Sequence, residues 1–459
     1  MKEYCADEPR FLRETDSGTI QAAIDRASAD GVGKVIIPRF NPRTGKPLWT
    51  VEKTILIPSD MTVILDGCHI RLADGVRENI FRNSNAWTPE GNTLEGEQHD
   101  IRIIGIGNAI LDGGEPNGLC EQMHRDDPIK NPHMQVNLLL FLHNVRHFEV
   151  RGFQCRDSRW WATCFMFCRW GKICDLDMRM YGTLENQDGV DIRIGCEYIT
   201  VENITGITGD DTVALTALPR DTYFEGMLHV EGKSIDIHDI TVRNIISSTH
   251  GCGIVRLLCE HGAREYNIKI SDITDTGETI GGAAVLIGIS DPVLAKEPHK
   301  MGDFKNIFIS NVTTSSQRVM SLREPTENLY ISNVISTGAN EMGFAFDKNF
   351  VAKNVHISNF TFGASPENAD CVFWFGCGEE GIKDLTISNV RASEAKYVFR
   401  GRAKEISNFS YEEPSEGFLN PDRPRLTSAY GRYHRFAYGK LIENRPPDSR
   451  YNTDGSRKK

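Results

Sequence analysis

Short segments of alternating apolar and polar residues recur along the chain and share one plan. The four clearest copies, each closing on an asparagine and one further apolar residue, are 306–312, 328–334, 354–360 and 384–390. Alternation with a period of two is typical of a β-strand, and asparagine tolerates the left-handed backbone of a tight corner. Because the segments return at intervals of roughly 20 to 40 residues, they predict a stack of structural repeats.

Fainter copies and a second series of strands extend this pattern. The fainter copies are 147–153, 198–204, 239–245 and 267–273, and the second series is 189–194, 211–215, 253–257, 283–287, 319–323, 343–347, 371–375 and 397–400. Two strand series interleaved at one period indicate two sheets, with each coil giving a strand to both. A β-sandwich also alternates, but it does not require one phrase to return with asparagine at one place. The sequence therefore predicts an all-β fold, a single-stranded right-handed parallel β-helix of about ten coils.

Both ends of such a stack need a cap, because open ends expose edge strands. In 17–27, Ile20, Ala23, Ile24 and Ala27 fall on one helical face behind a capping Ser17, which predicts an N-terminal capping helix. We expect one β-helix domain over 1–410. The stretch 411–459, rich in Arg, Tyr and Pro, is predicted to be an extended tail on or beyond the last coil.

Composition narrows the setting of the protein. The formal net charge of -11 argues against nucleic acid or an anionic membrane as a partner. The start of the chain has no apolar run of the kind a secretion signal needs, so the twelve cysteines are expected to be reduced thiols in the cytoplasm, unless a signal has been removed. Five of these thiols fall in strand patterns and are expected to pack as small apolar groups: Cys155, Cys164, Cys174, Cys252 and Cys371. The short spacings between cysteines lack a matching second pair, so no metal site is expected.

Candidate chemistry concentrates between residues 186 and 253. Asp188 and Asp191 accompany one strand of the second series, and Asp210 and Asp211 accompany the next, about one coil later. Stacking the coils would bring these four side chains together. Carboxylates so close raise one another's pKa, and a fold seldom tolerates that arrangement without a ligand or a proton-transfer task. The strand alternation predicts that Asp191 and Asp210 point outward, and that Asp188 and Asp211 sit at the bend before each strand.

One coil further, 248–254 places His250 at the same edge of the sheet. A single histidine beside a glycine is more often a turn residue. Its position above the acidic cluster favours a functional role, either binding the leaving-group side of a substrate or adjusting the pKa of an acid.

These features occur in the order found in a known family. They are 19–24, 107–113, 157–161 where the family has Asn-Ser-Pro-x-Trp, the Asn-Gln-Asp of 186–188, the Gly-Asp-Asp of 209–211 and the Thr-His-Gly of 249–251. The chain resembles glycoside hydrolase family 28, the polygalacturonases and their relatives among the pectin-lyase-like β-helix proteins. By that likeness Asp210 would be the general acid, Asp188 and Asp211 would hold the attacking water, and His250 would assist. The mechanism requires no cofactor and no metal.

Departures from the family concern the substrate. The Arg-x-Lys that grips a sugar carboxylate in polygalacturonases is absent, because the matching stretch, 282–288, is glycine-rich and apolar. The cations that replace it are expected to be Arg193, Arg256 and Arg323, although solvated or ion-paired arginines explain these residues equally well. Asp191 is expected to bind substrate with them. The stretch 217–233 predicts a loop beside the cleft, narrowing it toward short chains or chain ends.

Aromatic residues near the predicted groove offer a further indication, because rings commonly stack on sugar faces. They are Trp160, Trp161, Tyr181 and Tyr223, with Trp161 as the expected substrate contact. A core role for one of the tryptophans remains an equal alternative.

The sequence thus predicts an inverting glycosidase that acts on a pectin-like or related oligosaccharide or polysaccharide, with homo-oligomerisation left open. One alternative is a polysaccharide lyase on the same fold, which would use an Arg or Lys base, often with calcium, and release an unsaturated product. The other is a non-catalytic carbohydrate-binding rod, since fold alone does not establish activity.

Overall fold

A computed structural model describes residues 2–76, 78–114, 138–180, 186–219, 228–288, 297–338, 340–363, 369–376, 382–392, 397–401, 406–407 and 410–412. The predicted tail, 411–459, lies outside the described residues apart from the end of the strand Ser410–Glu412. The chain divides into two compact units, Met1–His250 and Gly251–Lys459.

The described residues of the first unit form one α-helix and strands of two parallel sheets. The α-helix spans Asp16–Ala29, and two 3-10 turns span Pro9–Phe11 and Glu90–Asn92. Strands of the first sheet are Tyr4–Cys5, Lys34–Ile37, Leu48–Val51, Thr62–Asp66, His69–Leu72, Gln98–Asp112, Val145–Arg156, Arg169–Arg179, Glu197–Thr208 and Ile237–Thr249. Strands of the second sheet are Ile55–Ile57, Phe81–Asn83, Leu140–His143, Thr163–Met166, Val190–Arg193 and Val213–Ala217.

The second unit repeats this arrangement of two parallel sheets. Its first-sheet strands are Glu265–Asp275, Phe304–Thr314, Thr326–Ser336, Ala352–Phe362, Ile382–Lys383, Leu385–Ala392, Ile406–Ser407 and Ser410–Glu412. Its second-sheet strands are Gly253–Cys259, Ala283–Ile287, Arg318–Leu322, Met342–Phe346, Cys371–Phe375 and Tyr397–Gly401. Within each unit successive coils contribute strands to both sheets in turn, so the two interleaved strand series are confirmed.

Polar corner residues hold the coils of the second unit in register. Asn306, Asn328 and Asn354 occupy one corner in the left-handed conformation, at φ of 53°, 56° and 58°. The Asn328 side-chain amide donates to Oδ1 of Asn306 at 2.8 Å, and Asn354 donates to Asn328 at 2.8 Å. Each coil thus repeats both the backbone conformation and the side-chain hydrogen bond of the coil before it.

A second ladder runs along the next corner. Asn333 donates to Asn311 at 3.1 Å, and Asn359 donates to Asn333 at 3.0 Å. These asparagines close the predicted segments, but they do not end the strands: the strand Phe304–Thr314 continues past Asn311. The left-handed residues bend the strand and shift its alternation, because buried positions stand three apart across each corner and two apart elsewhere.

The predicted capping helix is present, with a different N-cap. Ile20, Ala23, Ile24 and Ala27 are fully buried, which confirms the predicted apolar face. The helix begins at Asp16, and the Thr15 side chain accepts a hydrogen bond from the Gly18 N–H at 3.0 Å. The prediction of Ser17 as the cap was therefore wrong, because Ser17 lies inside the first turn and donates to Glu52 at 2.9 Å.

The burial of the cysteine side chains can be compared with the prediction made from the sequence. Four of the five strand cysteines, Cys155, Cys164, Cys174 and Cys371, are buried as predicted. Cys252 is only half-buried, because it lies just before the strand Gly253–Cys259 rather than within it.

In the described part of the chain, no helix has the length and apolar character that crossing a bilayer requires.

His143 is a buried titratable group in the core of the first unit. Its side chain is fully buried, and Nε2 lies 2.7 Å from the carbonyl oxygen of Leu228. The ring of Phe141 stacks on it and the ring of Phe167 meets it edge-on, at centroid distances of 6.2 and 6.1 Å. Burial lowers the pKa of His143 to about 4, so the imidazole is neutral at pH 7 and donates to the carbonyl.

Replacing Asn333 tests what the ladder contributes to stability. Asn333→Gly keeps the left-handed backbone accessible but removes the ladder amide, whereas Asn333→Ala also places a Cβ in a conformation that costs an L-residue about 1–2 kcal/mol. We expect the free energy of unfolding to fall in the order Asn, Gly, Ala. The measurement is urea denaturation followed by the circular dichroism of the β-strands. Equal stability of the glycine and alanine variants would contradict a backbone role for this corner.

The stability of the protein should depend on pH through His143. The folded pKa lies below the ordinary value of 6.5, so the unfolded state binds the extra proton, and stability falls as pH drops from about 6.5 to about 4. The loss attributable to His143 reaches about 3 kcal/mol. Urea titrations at pH 7 and 4.5 should show a smaller difference in His143→Gln, which donates to Leu228 without titrating. An unchanged difference would contradict the assignment.

Candidate active site

Three predicted site residues form one column on neighbouring coils of the first unit. Val190 pairs with Val213 and with Thr163, so Asp188 lies level with Asp211 on one side and with Trp161 on the other. The backbone confirms this register, because Gly189 N–H donates to the Asp211 carbonyl at 3.0 Å and Ala162 N–H donates to the Asp188 carbonyl at 2.8 Å. Neighbouring strands lie about 4.8 Å apart, so the two aspartates are adjacent along the column.

Glycine allows this close approach of the two coils. A Cβ at Gly189 would lie 2.5 Å from the carbonyl oxygen of Thr212. Asp188 and Asp211 each stand two residues before a strand, at the bend, as predicted. Both side chains are buried, at 5% and 1% exposure. The bend thus places Asp188 and Asp211 level with each other where the strands begin.

Asp210 is held beside this pair by contacts to its backbone and to one carboxylate oxygen. Its Oδ2 accepts the N–H of Asn186 at 2.9 Å, and its N–H donates to the carbonyl of Gln187 at 3.2 Å. Its carbonyl accepts the hydroxyls of Thr208 and Thr249, at 2.7 and 2.5 Å. Oδ1 is buried and has no hydrogen-bond partner in the described ranges. One carboxylate oxygen of Asp210 is therefore fixed by a hydrogen bond, and the other is not.

Asp191, Arg193 and Trp161 form a buried group next to the carboxylates. The guanidinium carbon of Arg193 lies 4.1 Å from the centroid of the Trp161 ring, and Nη1 lies 3.6 Å from Oδ1 of Asp191. Trp161 and Arg193 are 7% and 4% exposed, whereas Asp191 is fully buried. Burial, then the negative charges of Asp211 and Asp210, raise the pKa of Asp191, and the charge of Arg193 opposes them. The prediction that Asp191 contacts substrate is untested, but the side chain offers no exposed surface.

His250 closes the first unit one coil beyond Asp210. Its N–H donates to the carbonyl of Thr208 at 3.3 Å, and the preceding Thr249 is paired with Thr208. The half-buried histidine therefore follows the end of the first-sheet strand Ile237–Thr249 and precedes the second-sheet strand Gly253–Cys259. Its assisting role remains a prediction.

The other predicted substrate contacts, Arg256 and Arg323, belong to the second unit. Arg323 Nε donates to the Ser321 hydroxyl at 3.1 Å and lies 3.4 Å from Oδ2 of Asp347. Burial, with the positive charges of Arg318 and Arg256, lowers the pKa of Arg323, and Asp347 opposes the shift. Arg323 is therefore ion-paired, as the alternative reading allowed. Tyr181, Tyr223 and residues 220–227 of the expected loop 217–233 lie outside the described residues.

Sequence reasoning missed two residues that hold the segments of this site in place, Arg159 and Gln187. Arg159 is 2% exposed, and its guanidinium donates to the carbonyls of Val76, Gly113 and Gly114. Arg159 lies two residues before Trp161, so these hydrogen bonds fix the segment that carries Trp160 and Trp161. The side-chain amide of Gln187 donates to the carbonyl of Ser158 and links the same segment to the carboxylate coil. The arginine in place of the family proline at 159 was the available signal.

Comparison with known proteins gives the class of fold. No protein-family model and no curated protein matches the sequence. A mutant tailspike protein of E. coli bacteriophage HK620 aligns with a TM-score of 0.59 and 12% identity, over 90% of this chain and 76% of its own. A second tailspike mutant, in complex with a pentasaccharide, aligns with a TM-score of 0.56 and 13% identity, over 90% and 78% of the two chains. An exopolygalacturonase from Thermotoga maritima aligns at a TM-score of 0.42 and 12% identity, over 90% and 92%.

At these identities the likeness to the tailspikes shows the fold alone. The chain is a right-handed parallel β-helix protein, as the sequence predicted. Membership of glycoside hydrolase family 28 and the role of each site residue stay predictions.

Replacing Arg159 tests its support of the site. Arg159→Met fills much of the same space but leaves the carbonyls of Gly113 and Gly114 buried without donors, at a cost of about 1–3 kcal/mol for each. We expect a lower free energy of unfolding and a shifted tryptophan emission. The half-exposed Arg102→Met is the matched control, with little effect on either. Arg159→Met with the stability of the parent would contradict the support role.

Proposed function

We propose that the protein is a glycoside hydrolase that cleaves O-glycosidic bonds in a pectin-like or related oligosaccharide or polysaccharide, with inversion of the anomeric carbon. The observation that carries the proposal is the column in which Asp188 and Asp211 lie level on adjacent coils, beside an Asp210 fixed by one oxygen only. A tailspike of the same fold is in complex with a pentasaccharide, which supports a carbohydrate ligand. Fold alone does not establish activity, so the carboxylates carry the argument.

The proposed reaction uses the carboxylates in two roles. Asp210 donates a proton to the glycosidic oxygen as the bond from that oxygen to the anomeric carbon breaks. Water held by Asp188 and Asp211 attacks the anomeric carbon from the opposite face and gives its proton to one of these carboxylates. An inverting enzyme needs roughly 6.5–9.5 Å between acid and base to admit this water. Asp188 lies one coil before Asp210, which allows a separation of that order, whereas Asp211 is next to the acid in the sequence and has a carboxylate oxygen within 4.8 Å of it.

Trp161 and Arg193 are proposed to form the floor of the sugar site. Both belong to the buried group next to the carboxylates. An aromatic ring with a guanidinium stacked on it offers an apolar face near a fixed positive charge. His250 is proposed to assist on the leaving-group side. Arg256 and Arg323 are proposed to contact charged or polar groups of a glycan.

Asp210→Asn separates catalysis from binding. The amide keeps the shape of the side chain but cannot supply a proton, so we expect turnover to fall by about 10²–10⁴-fold while glycan affinity stays close to that of the parent. Asp239→Asn, on the first sheet of the same unit, is the matched control and should leave turnover unchanged. A glycan panel identifies the substrate, and proton NMR of the first-released anomer reports inversion.

The same measurements separate the alternatives. A retained anomer would contradict the assigned roles. An unsaturated, ultraviolet-absorbing product would indicate a lyase. Binding without turnover in the parent, against the whole panel, would indicate a carbohydrate-binding rod.

A further inference from the structure

Asp191 occupies an unusual position for an ionisable side chain. It is fully buried, and neither of its carboxylate oxygens has a hydrogen-bond partner among the residues that the structure describes. An ionised carboxylate is an acceptor at both oxygens and is normally bound by several donors when buried. In the described part of the chain, Asp191 therefore has no hydrogen-bond donor to stabilise its charged form.

The neighbours of Asp191 do not replace those donors. The Nη1 atom of Arg193 is 3.6 Å from Oδ1, which is too long for a hydrogen bond. Cys164 and Ala214 lie level with Asp191 on the two adjacent strands, and Asp210 and Asp211 are close enough to repel a third negative charge. A thiol, a methyl group and two acids therefore lie near the carboxyl, and the one guanidinium near it, that of Arg193, is at ion-pair distance but beyond hydrogen-bond distance.

We propose that Asp191 is a neutral, protonated carboxyl and acts as a positioning residue that keeps the Arg193 guanidinium against the Trp161 ring. Its role in the sugar site rests on the proposed function, but its protonation does not. The neutral form resolves the missing donors, since a protonated carboxyl tolerates burial far better than a carboxylate does. Burial raises the pKa of Asp191 in the same direction.

The proton on Asp191 has a consequence for Arg193. An ionised carboxylate would draw the guanidinium into a two-pronged ion pair at hydrogen-bond distance and away from the ring. A neutral carboxyl leaves the arginine stacked on Trp161, 4.1 Å from its centroid. The positive charge of Arg193 then remains available to the neighbouring carboxylates and to a bound sugar, because a neutral Asp191 does not neutralise it.

Asp191→Asn tests the proposal because asparagine has the shape of the neutral acid and cannot ionise. We expect the infrared difference spectrum of the parent minus Asp191→Asn at pH 7 to contain the carbonyl stretch of a protonated carboxyl. Asp74→Asn, at an exposed aspartate, is the control and should show only the bands of a carboxylate. A carboxylate band in the Asp191 difference spectrum would overturn the proposal.

Stability provides a second measurement that needs no substrate. A carboxyl whose folded pKa is raised contributes stability below its unfolded pKa of about 3.9, and this contribution is lost as pH rises through the folded value. Asp191→Asn removes that loss, so its thermal midpoint relative to the parent should rise between pH 5 and pH 8. A variant that fails to fold, or that is less stable than the parent by the same amount at each pH, would show that the charged form is the native one.

Turnover tests the positioning role separately. We expect Asp191→Ala, which leaves space beneath Arg193, to raise KM by about tenfold or more with a smaller change in kcat, and Asp191→Asn, which keeps the shape of the neutral acid, to recover most of that loss. Loss of kcat in Asp191→Asn would overturn the positioning role and indicate direct proton transfer. An Asp210→Asn variant with full turnover would refute the proposed function, and the infrared and stability results on Asp191 would still stand.

Discussion

The structure depends on parallel coils that stay in register, and polar residues in the left-handed conformation enforce that register. A left-handed residue turns the backbone sharply, and asparagine is among the few L-residues that adopt this conformation at little cost. Once Asn306, Asn328 and Asn354 occupy equivalent corners, each side-chain amide can donate to the one before it. A slip by one residue would break this ladder and also turn the apolar side chains out of the core. The corner and the core therefore select the same register.

The register of the strands also brings separate segments of the sequence together in the candidate site. Asp188 and Asp211 approach because their strands pair in parallel, not because either segment carries the site alone. The close approach requires Gly189, since any side chain there would collide with the neighbouring carbonyl. The same stacking places like residues together elsewhere in the first unit: the ring of Trp170 lies 5.1 Å from His147 and 6.3 Å from Tyr198. In that ladder the stacked rings cover one another's faces, which favours a structural role for the aromatics.

Periodicity in the sequence was enough to predict the two strand series and the buried face of the N-terminal helix, because both follow from which side chains face the core. It was not enough for the details that depend on local hydrogen bonds. Thr15 rather than Ser17 caps the helix, and sequence alone offers both hydroxyls. The strands bend at Asn311 and its equivalents instead of ending there, because hydrogen bonds between coils continue through the corner. At the site, alternation predicted an outward Asp191, whereas its burial depends on the packing of Arg193 and Trp161 around it.

A parallel β-helix offers a long regular surface, and the same backbone can carry a binding platform or a catalytic centre. The difference must lie in side chains whose arrangement costs stability. Asparagine ladders satisfy their own hydrogen bonds and need no ligand. The aspartates near Val190–Arg193 do the opposite, because they set like charges on adjacent coils and leave Oδ1 of Asp210 with no hydrogen-bond partner among the residues described. Clustered carboxylates of this kind are the feature that favours the proton-transfer role we propose over a purely structural one.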